Sequence, residues 1–387
     1  MLLTIITFII VLSILVFAHE LGHFMMARKF GVKAEEFGFG FPPRAFGVYK
    51  NNQSRWKIIW GAKEVKDYQG TVYSINWLPL GGFVKIKGEN GEGQTEADSF
   101  AGRPIWQRAF MLSAGVVMNI ILAAFLITAG FMMGLPQALD GQVDVRARIS
   151  DKKIQIVEVI KNTPAEAAGL EIGDAIVSID NNNFSNYQEL QNYVAFNVGR
   201  KLSYKIERGR DLIGLEVVPE VMIETGKGGI GIAISQTGLV SYPWYLAVWQ
   251  GVKTTLILTW AIIMAFYELI KGLILGRGVT ADLSGPVGIA TLTGQVARLG
   301  FVYLLQFTAL LSINLAVINF FPFPALDGGR ILFLIIEAIK RSPVKKEIEG
   351  AIHNIGFVLL MLLVLLVTFR DVSRFSGIFK NVWEKIF

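Results

Sequence analysis

A short run of ionisable residues, His19-Glu20-x-x-His23, lies at the end of the first apolar stretch of the chain. In a helix, positions i and i+4 share a face, so both imidazoles can bind one metal ion. Glu20 is placed beside them to take a proton from a metal-bound water. A pattern this short also arises by chance, but ionisable groups in an apolar helix are costly without a function or a partner. The pattern therefore predicts a metal site with Glu20 as catalytic base.

A further ionisable group, Asp327, stands in an apolar setting late in the chain. It lies in a stretch broken by two prolines and two glycines, Phe321-Pro322-Phe323-Pro324-Ala325-Leu326-Asp327-Gly328-Gly329. Broken backbone at membrane depth is tolerated only where it lines a cavity or a ligand site. We predict that His19, His23 and Asp327 bind one Zn²⁺ per chain and leave an open water position, as in catalytic zinc sites. A helix N-cap before Ile331 is the alternative role for Asp327, and it is compatible with the first.

The composition limits both the class of protein and its ligands. Hydrophobic residues make up 52% of the 387 positions, which is typical of a polytopic membrane protein. There is no cysteine, so thiolate ligands and disulfides are excluded. The net charge of +6 suits anionic lipid headgroups, and no dense basic helix indicates nucleic acid. The third histidine, His353, is expected near the interface with no assigned role.

Apolar runs and composition shifts divide the chain into regions. Arg28, Lys29 and Lys33 follow the first run and place its end in the cytoplasm. We predict about four transmembrane helices and an inserted extracytoplasmic domain. The predicted regions are a first transmembrane helix (1–27), a cytoplasmic-side re-entrant β region and loop (28–107), a second transmembrane helix (108–134), a domain of soluble composition (140–236), an interfacial amphipathic helix and connector (244–300), a third transmembrane helix with the Leu-Asp-Gly-Gly motif (301–341), and a last transmembrane helix with a tail (354–387).

The apolar stretch from Trp244 to Leu275 is long enough to cross a membrane. However, Asp327 must reach the depth of His19 from a segment that enters on the outer side, and one crossing at 244–275 would reverse that direction. We therefore expect this helix to lie in the outer interface or along the bundle without crossing.

The re-entrant region and the second span contain further candidate residues. Glycines alternate with aromatic residues around Gly38-Phe39-Gly40, which favours a bent, extended segment. Strands are predicted at Trp56–Trp60 and Thr71–Trp77, with the sheet ending over Leu78–Lys85. In the second span, Gly115 and Asn119 share a face. Ordinary helix packing accounts for Gly115, whereas function and packing are equally good explanations for Asn119.

The inserted domain has a motif of its own. Its sequence from Lys161 to Asp180 resembles the signature of PDZ domains, with Thr163-Pro164 starting a short helix and Gly169 ending it. The later Gly228-Gly229-Ile230-Gly231-Ile232 resembles the loop and strand on which PDZ domains accept a peptide tail. A glycine-rich linker is the alternative for this stretch.

Taken together, the motifs resemble the site-2 protease family of intramembrane zinc metalloproteases, in its bacterial branch that processes anti-sigma factors. The resemblance rests on His19-Glu20-x-x-His23, Leu326-Asp327-Gly328-Gly329, Phe37-Gly38-Phe39-Gly40, Pro79-Leu80-Gly81-Gly82, Ser284-Gly285-Pro286 and the PDZ insertion. The chain departs from the family in two respects. It has one PDZ domain where some relatives have two, and its stretch from Tyr49 to Gln69 is longer than usual.

The resemblance implies a function and roles for further residues. Asn119 would hold the oxyanion, and Asn314 and Asn319 would contact substrate. The segment around Phe39 would present an edge strand to the unwound substrate. The implied substrates are single-pass membrane proteins, such as pre-trimmed anti-sigma factors or signal-peptide remnants, in the bacterial inner membrane. A membrane adaptor with a structural metal site is an alternative, but such a site has no need of Glu20. A transporter would need several ionisable groups along a pathway.

Overall fold

A computed structural model describes residues 2–374, apart from 64, 66–67, 90, 92, 94, 140–142, 210, 223–225 and 277–284. Ser284 of the Ser284-Gly285-Pro286 motif and the predicted tail beyond 374 lie outside these residues. The helices are α1 (Leu2–Lys29), α2 (Ile105–Met133), α3 (Pro164–Ala167), α4 (Tyr187–Phe196), α5 (Trp244–Ile274), α6 (Pro286–Leu299), α7 (Phe301–Phe320), α8 (Asp327–Lys340) and α9 (Lys346–Arg374). The strands are β1 (Ala34–Lys50), β2 (Trp56–Trp60), β3 (Gln69–Ile86), β4 (Leu135–Ala138), β5 (Arg148–Val159), β6 (Ala175–Ile179), β7 (Leu202–Arg208), β8 (Asp211–Val217), β9 (Glu220–Val221), β10 (Gly228–Gly229) and β11 (Ile232–Ser241).

The chain divides into two compact units. The first comprises Met1–Leu126, Val252–Ala297 and Phe307–Phe387, and the second comprises Ile127–Gly251 and Arg298–Gln306. Within the described residues, five helices are long and apolar enough to cross a membrane, namely α1, α2, α5, α7 and the Lys346–Ser373 part of α9. Helices satisfy their own backbone hydrogen bonds, which is what a lipid environment demands. By length and composition, α5 is therefore a further candidate beside the four predicted spans.

Helices α1 and α2 of the first unit pack closely because small residues face each other. A Cβ added to Gly22 would lie 2.7 Å from the carbonyl carbon of Ala114, so only glycine permits this approach. On its other side α2 meets α7, where the Ser312 hydroxyl donates a hydrogen bond of 2.8 Å to the Asn119 carbonyl oxygen. These contacts hold the α2 backbone between two apolar helices.

The sheet formed by β1, β2 and β3 is more folded back on itself than the sequence indicates. Gly38 of β1 pairs with Phe83 on one side and with Ser74 on the other. The later half of β1 pairs with β3 again, as in Phe46 with Ile75, and with β2 on its far side. The order across the sheet is therefore β2, late β1, early β3, early β1, and the end of β3.

This order corrects one prediction. The segment around Gly38 and Phe39 is internal, so the expectation that it forms an edge strand is wrong; the edges are β2 and residues 82–86 at the end of β3. The stretch from Leu78 to Lys85 forms the second half of β3, and the sheet ends with it as predicted. Strand propensity is visible in the sequence, but which strands flank a segment depends on where the chain turns back. The long stretch after Tyr49 supplies β2, which pairs with residues 46–50.

The second unit holds an antiparallel sheet of six strands in the order β4-β11-β5-β6-β7-β8. Leu190 and Val194 of α4 contribute to its apolar core with Ile156, Ile179 and Tyr204. The Asn186 side chain caps α4 by accepting a hydrogen bond from the Glu189 amide at 2.9 Å. Because β11 continues to Ser241 and pairs with β4, the sheet extends past both predicted limits, 140 and 236.

Candidate active site

A cavity of about 200 Å³ in the first unit collects the ionisable residues singled out from the sequence. Helix α1 contributes the two histidines and the glutamate, β3 contributes one wall, and α8 contributes the aspartate. The lining residues are His19, Glu20, His23, Phe83, Val84, Ile86, Glu89, Phe100, Met111, Leu112 and Asp327. His19 of α1 and Asp327 of α8 lie far apart in the sequence, so the cavity forms only when these two helices pack together.

The three predicted ligands converge within hydrogen-bonding distance. The Asp327 Oδ2 lies 3.0 Å from His19 Nε2 and 3.3 Å from His23 Nε2, and the two Nε2 atoms are 3.2 Å apart. Zinc bonds of about 2.0–2.1 Å in a tetrahedron place neighbouring ligand atoms about 3.3–3.4 Å apart. Two imidazole nitrogens and one carboxylate oxygen at these separations fit Zn²⁺ with a fourth position open. No other cluster of this kind is found among the described residues.

Glu20 lies in the same cavity and is held by the edge strand. The Val84 amide donates a hydrogen bond of 3.2 Å to Glu20 Oε2. A carboxylate held by one backbone N–H keeps further lone pairs free to accept a proton. The arrangement thus brings a base next to the three ligand atoms.

Asp327 is the first residue of α8, and the residue in the N-cap position is Leu326. The suggestion that Asp327 caps this helix is therefore wrong, and its carboxylate faces the imidazoles instead. The turn before it contains Ala325 with φ of 79°, and the Ala325 amide donates to His353 Nδ1 at 2.9 Å. Sequence analysis gave His353 no role, and no signal beyond its residue type would have linked it to this turn.

The far nitrogens of both histidines contact α2. His23 Nδ1 lies 2.8 Å from the Met111 carbonyl oxygen, and His19 Nδ1 lies 3.3 Å from Asn119 Nδ2. Gly115, between these two residues, packs directly against both imidazoles. Met111 was missed because a backbone carbonyl carries no sequence signal, and Gly115 does more than the predicted helix packing.

The other candidate residues lie elsewhere. Asn314 donates to the Leu310 carbonyl of its own helix at 2.9 Å, and neither Asn314 nor Asn319 lines the cavity. Gly38, Phe39 and Gly40 lie in β1 and are also outside the lining. The substrate roles of these five residues stay predictions.

In the second unit, Gly229, Ile230, Gly231 and Ile232 line a groove of about 730 Å³. Leu190 and Val194 of α4 lie on the opposite wall. Strand β11 pairs with β5 along one side, and β4 covers the other side only from Thr237 to Val240. The start of β11 is therefore not covered by β4 and faces the groove.

Comparison with known proteins places the chain in a family. The model of Peptidase family M50 matches residues 7–363. The chain is 31% identical to the Regulator of sigma-W protease RasP of Bacillus subtilis, over 96% of this chain and 98% of the relative. It is 33% identical to a putative zinc metalloprotease of Brucella suis, over 95% and 94% of the two chains. It is 29% identical to the Regulator of sigma-E protease RseP of Salmonella typhimurium, over 95% and 98%.

Among solved structures, the PDZ domain of the SdrC-like protein of Listeria monocytogenes matches 24% of this chain and 93% of its own. The identity is 25% and the TM-score is 0.20, which is too low to support an argument. The predictions of the family, of zinc as cofactor and of proteolytic activity are confirmed by the family match and the relatives. The chain therefore belongs to Peptidase family M50 and is a zinc metalloprotease of the site-2 type, which acts in regulated intramembrane proteolysis.

Proposed function

We propose that this protein hydrolyses a peptide bond in the membrane-spanning segment of single-pass membrane proteins, with His19, His23 and Asp327 as zinc ligands and Glu20 as base. The observation that carries the proposal is the convergence of the three ligand atoms at 3.0–3.3 Å, with Glu20 in the same small cavity. Ionisable groups from α1 and α8 would be costly in an apolar environment without a cation between them.

The chemistry divides between the ion and the chain. When bound, zinc would supply a Lewis acid that lowers the pKa of water toward neutrality. Glu20 takes the proton of the attacking water and returns it to the leaving amine. The Val84 amide holds the Glu20 carboxylate at the wall of the cavity, which fixes the direction of this transfer.

Substrate presentation follows from the corrected sheet order. A membrane helix hides its carbonyls in hydrogen bonds, so the scissile stretch must first unwind. Residues 82–86 form one edge of the sheet, and Phe83, Val84 and Ile86 line the cavity. We propose that the unwound substrate adds to this edge as a strand and pairs with its N–H and C=O groups, apart from the Val84 amide, which donates to Glu20.

The groove of the second unit accepts a peptide tail in our proposal. The uncovered start of β11 supplies backbone groups for strand addition, and Leu190 and Val194 supply an apolar wall. This domain is a PDZ domain on the outer side of the membrane. It restricts access to substrates that another protease has already trimmed. Because relatives are named regulators of sigma-W and sigma-E, anti-sigma factors are the substrate class we propose.

We propose a bacterial inner-membrane protein with four crossings, in which α5 does not cross. Helix α6 supports this view: a Cβ on Gly294 would lie 2.9 Å from Thr4 Cβ in the first turns of α1. The Gly288 amide, near the start of α6, donates to Asp371 at the end of α9 at 2.7 Å. Both ends of α6 thus meet helix ends that we assign to the outer side, so the chain reaches α6 without a net crossing.

The test is Glu20→Gln in the full-length protein, assayed on a membrane-spanning reporter. We expect zinc content to stay at one per chain and cleavage to fall by about 10²–10⁴-fold, the usual contribution of a general base. Glu96→Gln, on an exposed loop, is the matched control. Unchanged cleavage by the Glu20 variant would refute the assignment and favour an adaptor with a structural metal.

A further inference from the structure

The second helix carries an amide whose position next to a metal-ligating imidazole suggests a different role from oxyanion binding. Asn119 is fully buried, and its Nδ2 lies 3.3 Å from His19 Nδ1. Its Oδ1 has no hydrogen-bond partner among the described residues. A buried amide oxygen without a partner costs about 1–3 kcal/mol, so its placement calls for an explanation.

The proton on His19 supplies that explanation. His19 Nε2 faces Asp327 and His23, so this nitrogen is the one available to the metal. A neutral imidazole that binds metal through Nε2 carries its hydrogen on Nδ1 and must donate there. The two ends of the Asn119 amide have the same shape, and rotation by half a turn presents Oδ1 to His19 Nδ1. That single rotation pairs the imidazole N–H with Oδ1, and it moves Nδ2 to the position that has no hydrogen-bond partner among the described residues.

The second histidine, one turn further along α1, makes a similar contact with α2 and supports the same hydrogen-bond assignment. His23 Nδ1 lies 2.8 Å from the Met111 carbonyl oxygen, which can only accept. Met111 and Asn119 are eight positions apart on α2, and the two histidines are four apart on α1. With the Asn119 amide rotated, each imidazole would meet an acceptor on α2 with its far nitrogen, and Gly115 leaves room for the rings between them.

We infer that Asn119 is a positioning residue that accepts a hydrogen bond from His19 Nδ1–H and fixes the ring with Nε2 toward the metal. The Ser312 hydroxyl donates to the Asn119 backbone carbonyl oxygen at 2.8 Å, a contact with the backbone and not with the side-chain amide. Such outer partners of ligating histidines change metal affinity by about 10–100-fold when they are lost. The inference rests on the proposed zinc ligands.

The experiment compares full-length variants in detergent by competition with a coloured chelator. The competition gives the zinc affinity at equilibrium and the rate of zinc release before it. Asn119→Leu keeps the volume and removes the acceptor, and we expect zinc affinity to fall about 10–100-fold. Asn119→Asp keeps an acceptor, and we expect its zinc affinity to equal or exceed that of the unmodified protein. Ser312→Ala, which removes only the backbone contact, is the control and should release zinc at the unmodified rate. If Asn119→Leu does not fold, Asn119→Ala takes its place.

The outcomes separate the roles. Normal zinc affinity in Asn119→Leu with slower cleavage would indicate an oxyanion donor and overturn the inference. Equal loss of zinc in the Leu and Asp variants would overturn it as well. His23→Ala tests the ligands themselves: if that variant keeps zinc, the proposed site fails, whereas its loss of zinc beside a normal Asn119→Leu sinks only the role of Asn119.

Discussion

Gly115 offers a sharp test of the site because a single methyl group there meets both imidazoles. A Cβ at Gly115 would lie 2.7 Å from His19 Cε1 and 2.8 Å from His19 Nε2, and closer still to His23 Nε2. Carbon atoms in contact prefer about 3.5 Å, so the rings or α2 must move by about 0.8 Å. Catalytic groups tolerate about 0.5 Å, and a displacement of about 1 Å can cost 10²-fold in rate. We expect Gly115→Ala to lower kcat about 100-fold, or about 2.7 kcal/mol of barrier.

The assay is cleavage of a membrane-spanning reporter by purified full-length protein, with zinc content measured on the same samples. The matched control is Gly350→Ala, since a Cβ on this helical glycine of α9 meets no atom within 4 Å. Alanine favours helix over glycine by about 1 kcal/mol, so neither change should unfold its helix through propensity. A displacement of the expected size should cost far more than about threefold in rate. If the Gly115 variant cleaves within about threefold of the control, the imidazoles do not pack on α2 as described.

Two further changes probe other parts of the chain. Arg208→Ala should destabilise the second unit by about 3 kcal/mol, because Asp174 is 1% exposed and loses two hydrogen bonds of 2.7 Å. In thermal unfolding, Arg208→Lys should restore only part of this stability, and full stability of the Ala variant would contradict the Arg208–Asp174 contact. Arg330→Gln should release zinc to a chelator several-fold faster, because the Arg330–Glu89 ion pair joins α8 to the cavity wall. Both groups of that pair are about one-third exposed, so the free energy of unfolding should change by less than about 1 kcal/mol. An unchanged rate of zinc release would show that this ion pair does not help to close the cavity.

The candidate site was largely predictable because its chemistry depends on residue type. His19, His23 and Asp327 are ionisable groups in apolar runs, and the cost of burying them points to one shared ion. The parts that escaped prediction act through backbone or through neighbours in space. The Met111 carbonyl and the Val84 amide exist at every residue, so no pattern marks them.

The fold was predictable where period and composition decide and not where pairing decides. The apolar runs gave α1 and α2 within a few residues, whereas the predicted third transmembrane helix, 301–341, consists of two helices, α7 and α8. The strand order of the re-entrant sheet was not predicted. Gly38 has partners on both sides, and the sheet edge near the cavity is formed by residues 82–86. Helix α5 is apolar enough to span, and the contacts of α6 with Thr4 and Asp371 bear on whether α5 crosses.

The distance of 308 positions between His19 and Asp327 has a consequence during synthesis. A growing chain carries both histidines and the glutamate from its first turns, but it lacks the carboxylate that completes the set. A chain interrupted before Asp327 lacks this carboxylate, so we expect it to have an incomplete set of zinc ligands. The proposed site can therefore form only after the segment that carries Asp327 has been made.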